Sequence, residues 1–439
     1  MSTVAERVFP RLRLREGASE LLDLPWALPL AEWRPAPDGT IAGMRVRELP
    51  VGPSRHLVRF LTSDRRTYAL KEEPLEVAGA EFDVLRHLQD RGLPAVTAVG
   101  LAEAPDRRSA ILVTEYLKFS IQYRRLLMRF PLGPGPYRDR LLDAMAWLLV
   151  DLHRSGVFWG DCSLANTLFR RDGDRIQAFL VDAETSEIHP RLSHGQRNYD
   201  LDILEENVAF GLADLGAMQG RDGAEDDALE AAGTVRARYD AVWDELHLEP
   251  ELSPDDQHAV RARVRRLNEI GFAVDEISLE PSGGGEGAVR LRVVVANRRF
   301  HARELERLSG IAALEGQAQL MLNDLHEYRL WLERDLGRPV GDGEGAERWL
   351  SDLLEPSLRA LRPTIGSGRD PLQAYCDILE QKWILSEVSG TDVGLGAAME
   401  AYLGLGAPAP ESDAGTADAG MALDIDWSGG WESDRPNHE

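Results

Sequence analysis

The chain has 439 residues, a formal charge of −24 and two cysteines far apart, Cys162 and Cys376. That length allows two or three domains with real cores. The charge excludes bulk electrostatic attachment to nucleic acid or an anionic membrane. Two distant cysteines exclude a disulfide framework, and no apolar run is long enough to span a bilayer. The N-terminus has no continuous apolar segment of the secretory kind, so the expected location is cytoplasmic.

Residues 1–43 read as a helical or irregular lead-in, ending in the turn-rich RPAPDGT. Two strands follow, His56 to Leu61 and Thr67 to Lys71, joined by a polar turn. VAGAEFDVLRHLQDRG carries Phe82, Leu85 and Leu88 at helical spacing and stops at Gly92. SAILVTEYL is a buried strand, and PYRDRLLDAMAWLLVDLHRSG is a strongly apolar helix. NTLFRRDGDRIQAFLVD is a hairpin, because Asp-Gly in its middle suits the positive φ that tight hairpins need. NYDLDILEENVAFGLADLGAM is another helix.

The composition break QGRDGAEDDA ends this first domain, taken as residues 44–222. A second, α-rich domain covers 223–405. It begins with a helix that Ser253 can cap and Pro254 can start. A hairpin around PSGGGEG follows, then four helical stretches. Trp331, Trp349 and Trp383 sit among apolar neighbours and read as core. Residues 406–439 form an acidic tail of low hydrophobicity, expected to be disordered. Trp427 and Trp431 in it could serve as a short docking motif.

The segment from Val157 to Asp182 holds the chemistry. Phosphoryl transfer needs a positioned nucleotide, held metal and a carboxylate near the attacking hydroxyl. Asp161 lies in a loop after the apolar helix, and Asn166 follows five residues later. Asp182 ends the next hairpin, where its hard oxygens suit Mg²⁺. Upstream, Lys71 ends a strand and can reach phosphates. Glu81 on the next helix can pair with it, with Glu76 as the alternative. Any one of these residues alone reads as an ordinary cap, turn or surface group. The ordered set does not.

HRSGVFWGDCSLANTLF and LVDAET resemble the catalytic core of the protein-kinase-like superfamily, in its bacterial lipopolysaccharide (Kdo) kinase-type branch. The resemblance covers roughly residues 44–215. The part after about 225 resembles a C-terminal domain of unknown function found fused to such halves. The resemblance implies an α+β chain: a two-lobed, protein-kinase-like N-terminal half and an α-rich second domain with a short β-hairpin. It implies Asp161 as catalytic base, Asn166 and Asp182 as metal ligands, and Lys71 on phosphate with Glu81 as ion-pair partner. Backbone groups of Thr114 to Leu117, among them Glu115 and Leu117, would hold adenine. His153 would be structural, and Asp202, or nearly as well Asp200, would buttress the catalytic loop.

The chain departs from that pattern in three places. The phosphate-covering loop, ELPVGPSRHLVRF, has Gly52 as its sole glycine, so Ser54, Arg55 and His56 would have to contact phosphate through side chains. Asp182-Ala183-Glu184 replaces D-F-G, and Glu184 reads as a salt-bridge partner or a further metal ligand. Arg191, His194 and Arg197 beyond it could meet an anionic substrate or lie on an ordinary surface. The expected cofactors are ATP and Mg²⁺, with an unidentified hydroxyl-bearing substrate on a sugar, small molecule or protein. A protein partner could bind through the C-terminal domain or tail. The alternatives are a pseudokinase that binds or scaffolds without transfer, and a nucleotidyl transferase.

Overall fold

The computed structural model of the chain describes residues 11–49, 55–64, 66–129, 134–253, 255–282 and 288–408. The N-terminal lobe is built on seven strands. They are β1 (Leu12–Leu14), β2 (Thr40–Ile41), β3 (Met44–Arg47), β4 (Leu57–Thr62), β5 (Thr67–Pro74), β6 (Ala98–Glu103) and β7 (Ser109–Glu115). Their spatial order is β1-β6-β7-β5-β4-β3-β2, antiparallel throughout. Helix α1 (Leu75–Asp90) follows β5 directly. Successive side chains of a strand point to opposite faces. Tyr68 and Leu70 therefore enter one apolar cluster, while Lys71 and Glu73 turn toward α1 and the cleft.

The lead-in differs from its expectation. Leu21, Leu24, Trp26, Leu30 and Trp33 pack with Leu61, Tyr68 and Leu70 over one face of the sheet. β1 pairs with β6, and β2 pairs with β3. β1 and β2 are three and two residues long, too short to show a period of two in sequence. Burial of large apolar groups, not local propensity, fixes this segment.

The second lobe contains β8 (Ile121–Gln122), α2 (Tyr123–Arg129), α3 (Pro136–Arg154), β9 (Val157–Phe158), β10 (Thr167–Asp172), β11 (Arg175–Leu180), β12 (Glu187–Ile188), α4 (His194–Met218) and α5 (Ala224–His247). α3 is its axis, with Leu149 and Leu152 buried among Phe82 and Leu85 of α1 and Leu204 and Val208 of α4. The proposed boundary at 222 does not mark a gap. Ala228, Ala231, Val235 and Tyr239 of α5 join the same core. The acids of that composition break, Glu225, Asp226 and Asp227, form the first turn of α5. Negative charge there complements the helix dipole.

The C-terminal part comprises β13 (Glu251–Leu252), α6 (Gln257–Glu269), β14 (Val274–Pro281), β15 (Val289–Val295), α7 (Phe300–Ser309), α8 (Glu315–Leu336), α9 (Asp342–Trp349), α10 (Glu355–Ile365), α11 (Pro371–Ser389) and α12 (Gly394–Gly404). α6 is capped by Asp256, whose Oδ1 accepts from Ala259 N at 2.9 Å, and not by Ser253. Pro254, the glycine-rich turn at 283–287 and the tail from 409 lie outside the described residues. Trp349 is buried as expected, but Trp331 and Trp383 are more than half exposed. Trp331 lies on α8 and Trp383 on α11; each has apolar neighbours in sequence, but a short window does not resolve which face of its helix is buried.

This part is interlocked with the second lobe. Phe272 packs on Trp147 with ring centroids 5.9 Å apart. Arg154 donates to the carbonyls of Val295 and Ala296. The β10–β11 turn inserts into the helices: Asp172 Oδ1 accepts from Gln317 N at 2.8 Å. Gly173 exchanges two hydrogen bonds of 2.9 Å with the Gln373 amide. Arg170 pairs with Asp370 at 3.2 Å and Arg171 with Asp377 at 2.8 Å. Among the described residues, no helix is long and apolar enough to cross a membrane.

Candidate active site

Two groups of side chains line the region where the lobes meet. The first centres on Lys71. Its Nζ lies 2.6 Å from Glu73 Oε1, 3.1 Å from Glu81 Oε2 and 3.0 Å from Asp182 Oδ2. Glu81 is buried on the inner face of α1, and its Oε1 accepts from Ala183 N at 3.2 Å. Strand β5, helix α1 and the segment after β11 thus converge on one ammonium. Burial alone would lower the Lys71 pKa, but the charges of Glu81, Asp182 and Glu73 outweigh it and hold it above the ordinary lysine range. Burial pushes the Glu81 carboxyl well up; Lys71 opposes this, while Asp182 and Glu73 add to it. Glu76, the alternative partner, is exposed in the first turn of α1.

The second group is the loop after β9. Asn166 Nδ2 donates to Asp161 Oδ2 at 2.9 Å, so the two side chains face each other across the turn. Ser163 caps the short 3₁₀ turn Leu164–Asn166 that closes the loop. Asn166 O accepts from Val181 N at 3.1 Å, which ties this loop to the residue before Asp182. Gly160 has φ +80°, and a Cβ there would lie 2.8 Å from Thr185 O, so the residue before Asp161 must be glycine.

Asp200, not Asp202, buttresses this loop. Its Oδ2 accepts from Trp159 N at 2.8 Å and its Oδ1 from Gly160 N at 2.8 Å. His153 Nε2 donates to the same Oδ2 at 3.0 Å, and its Nδ1 accepts from Tyr239 Oη at 2.8 Å. Burial lowers the His153 pKa, which keeps the neutral tautomer those partners require. Asp202 is exposed and pairs with Arg236. The sequence held a signal for this choice: Asp200 shares a four-residue spacing with Leu204, Val208 and Leu212, the buried stripe of α4.

Glu115 ends β7, and its N–H is taken by Thr97 O at 2.8 Å. Leu117 lies just beyond, where its carbonyl accepts from Ser120 Oγ at 2.7 Å. Gly52 and Ser54 lie outside the described residues. Arg197 stacks over the Trp243 ring, 4.0 Å from its centroid. Sequence reasoning missed Glu73. Its place two residues from Lys71 on one strand, hence on the same face, was the available signal. The partner of Glu184 is His56, at 3.2 Å.

Residues 61–221 match the family model of the lipopolysaccharide kinase (Kdo/WaaP) family. This stretch is a Kdo/WaaP family domain. The Kdo/WaaP domain ends just before α5, and residues 241–405 match a domain of unknown function, DUF4032. The chain is 28% identical over 153 residues to the lipopolysaccharide core heptose(I) kinase WaaP of Pseudomonas aeruginosa. That alignment covers 32% of this chain and 56% of the relative, so the chain spans little more than half of its length. Among solved structures, WaaP in complex with acyl carrier protein aligns with a TM-score of 0.34 and 21% identity, over 59% of this chain and 98% of that one. A double mutant of the PknI kinase domain of Mycobacterium tuberculosis aligns with a TM-score of 0.30 and 15% identity, over 48% and 100%.

Proposed function

We propose that the chain is an Mg-ATP-dependent phosphotransferase acting on a hydroxyl group, with a sugar hydroxyl as the first acceptor class. The observation that carries this reading is the convergence on Lys71 of Glu81 from α1 and Asp182 from beyond β11, at 3.1 and 3.0 Å. The paired Asp161 and Asn166 lie one hydrogen bond away through Val181. The sugar assignment follows the name of the Pseudomonas relative, a core heptose kinase, and the family match.

The donor set fits a nucleotide and a hard divalent cation. Lys71 is a compact cation whose carboxylate partners fix its direction, as a phosphate ligand requires. Asp182 offers a carboxylate, and Asn166 spends its Nδ2 on Asp161, leaving its amide oxygen as the atom for a cation. ATP would supply the phosphoryl group, and Mg²⁺ would neutralise its charge. Asp161, oriented by the Asn166 amide, accepts the proton of the attacking hydroxyl at its carboxylate. Glu81 holds Lys71 against α1, and Asp200 fixes the backbone ahead of Asp161.

The test combines calorimetric titration of ATP, with and without Mg²⁺, and transfer from γ-labelled ATP to a heptose-bearing acceptor. Asp161→Ala should keep nucleotide binding and lose transfer by about 10²–10⁴-fold, the usual worth of a general base. Asp182→Ala should lose the magnesium-dependent part of binding. Undiminished transfer by Asp161→Ala removes the assignment. The pseudokinase reading has one observation in its favour, the single glycine, beside a proline, in the sequence ELPVGPSRHLVRF. Magnesium-dependent ATP binding without transfer to any acceptor would select it.

A further inference from the structure

Four carboxylates, those of Glu73, Glu81, Asp182 and Glu184, gather around Lys71 and His56. Lys71 serves the first three. Glu184 Oε2 instead lies 3.2 Å from His56 Nε2, and that same nitrogen lies 3.8 Å from Glu73 Oε1. One ammonium does not balance four carboxylates in a partly buried cleft, and a nucleotide would add further negative charge. Unbalanced buried charge is costly, so this site favours cations.

Glu73 gives an independent indication. It is 2% exposed, and neither of its carboxylate oxygens receives a hydrogen bond of good geometry. Lys71 gives Oε1 an ion pair at 2.6 Å, and Oε2 accepts no hydrogen bond of good geometry. A buried carboxylate oxygen without a donor is expensive unless something else satisfies it. The strand register aims this group. Leu57 pairs with Glu72 and Val58 with Lys71, and one step beyond that register His56 comes to Glu73 at 3.8 Å, on the face that Lys71 shares. The nearest ligand atoms of His56, Glu73 and Glu184 all lie within 4.8 Å of one another. Three ligands bound to one ion at about 2.0–2.2 Å need only a small closing movement from that arrangement.

We propose that His56, Glu73 and Glu184 form a second divalent-cation site, separate from Asn166 and Asp182. Two carboxylates and an imidazole suit Mn²⁺ or Zn²⁺ better than the all-oxygen set that Mg²⁺ prefers. Two of the ligands come from the first lobe and the third from the segment after Asp182, so the ion ties the two together beside the phosphates. The proposal rests on the kinase reading only for its place next to the nucleotide.

The test uses Mn²⁺ as the probe, on the intact chain without nucleotide. Free Mn²⁺ is counted by its solution EPR signal, and the bound ion is examined by pulsed EPR for coupling to an imidazole nitrogen. The expected result is one bound Mn²⁺ with nitrogen coupling. His56→Ala should abolish the coupling and weaken binding at least tenfold; Glu184→Gln should weaken it similarly. Asp83→Asn, on the exposed face of α1, should leave both readouts unchanged. Circular dichroism checks that the variants are folded; the partly exposed His56 and Glu184 can be altered without opening a core. Absence of Mn²⁺ binding by the folded protein overturns the proposal. So does binding that survives His56→Ala but is lost in Asn166→Ala, a result that leaves the kinase reading intact. Nitrogen-coupled Mn²⁺ in a chain that binds no ATP would sustain this site and defeat that reading.

Discussion

Replacing Asp200 by alanine tests how the catalytic loop is held. The carboxylate is fully buried and accepts three hydrogen bonds, from Trp159 N, Gly160 N and His153 Nε2, at 2.8, 2.8 and 3.0 Å. Alanine leaves the buried Trp159 N–H with no acceptor and the Gly160 N–H with water at best. An unsatisfied buried donor costs about 1–3 kcal/mol, so the two amides and the imidazole together should cost about 3–5 kcal/mol. Asp200→Asn keeps one acceptor oxygen but turns an amide nitrogen toward a donor, and should fall between. The assay is urea unfolding followed by both tryptophan fluorescence and circular dichroism, since two interlocked parts need not unfold together. Transfer should fall by about 10²-fold, the penalty for misplacing a reacting group by roughly 1 Å. ATP affinity should change little, because Asp200 does not touch the Lys71 group. A stability loss below about 1 kcal/mol for the alanine variant refutes the assignment.

Three further outcomes follow from named contacts. Lys71→Met leaves Glu73 and Glu81 buried without their cation, a loss of about 3–5 kcal/mol; it should shrink as pH falls and the carboxylates protonate, as measured by urea unfolding at neutral and mildly acid pH. Burial, against the pull of Arg171, raises the Glu380 carboxyl to about 7. Its folded pKa thus exceeds its unfolded value, so its contribution to stability is complete at acid pH and is lost as pH rises through about 7. Glu380→Gln should melt with the parent at acid pH and a few degrees above it in alkali, for about 1–2 kcal/mol after allowing for solvent screening. A Cβ at Gly316 would lie 2.2 Å from Asp172 O. Gly316→Ala should therefore loosen the β10–β11 turn from α8 by about 2–4 kcal/mol, seen as earlier proteolysis between the two parts and a lower melting temperature.

The sequence alone determined the elements with a long, regular period, and the order of the chemical groups along them. The apolar helix α3, the hairpin around Asp172-Gly173, and the succession Lys71, Glu81, Asp161, Asn166, Asp182 were all legible. Each depends on local geometry or on spacing along the chain. The tertiary structure decided what depends on contacts between distant segments. It drew residues 12–47 into the sheet through Trp26, Trp33 and Leu30, and put α5 into the second lobe through Val235 and Tyr239. It chose Asp200 over Asp202, because only one face of α4 reaches the loop. It also brought His56, just ahead of β4, to Glu73 through a register that only strand pairing fixes, and brought Glu184 to them from the far side of the chain. Propensity and spacing act within a segment; burial and charge balance act between segments, and the partners of each cleft residue come from the second kind.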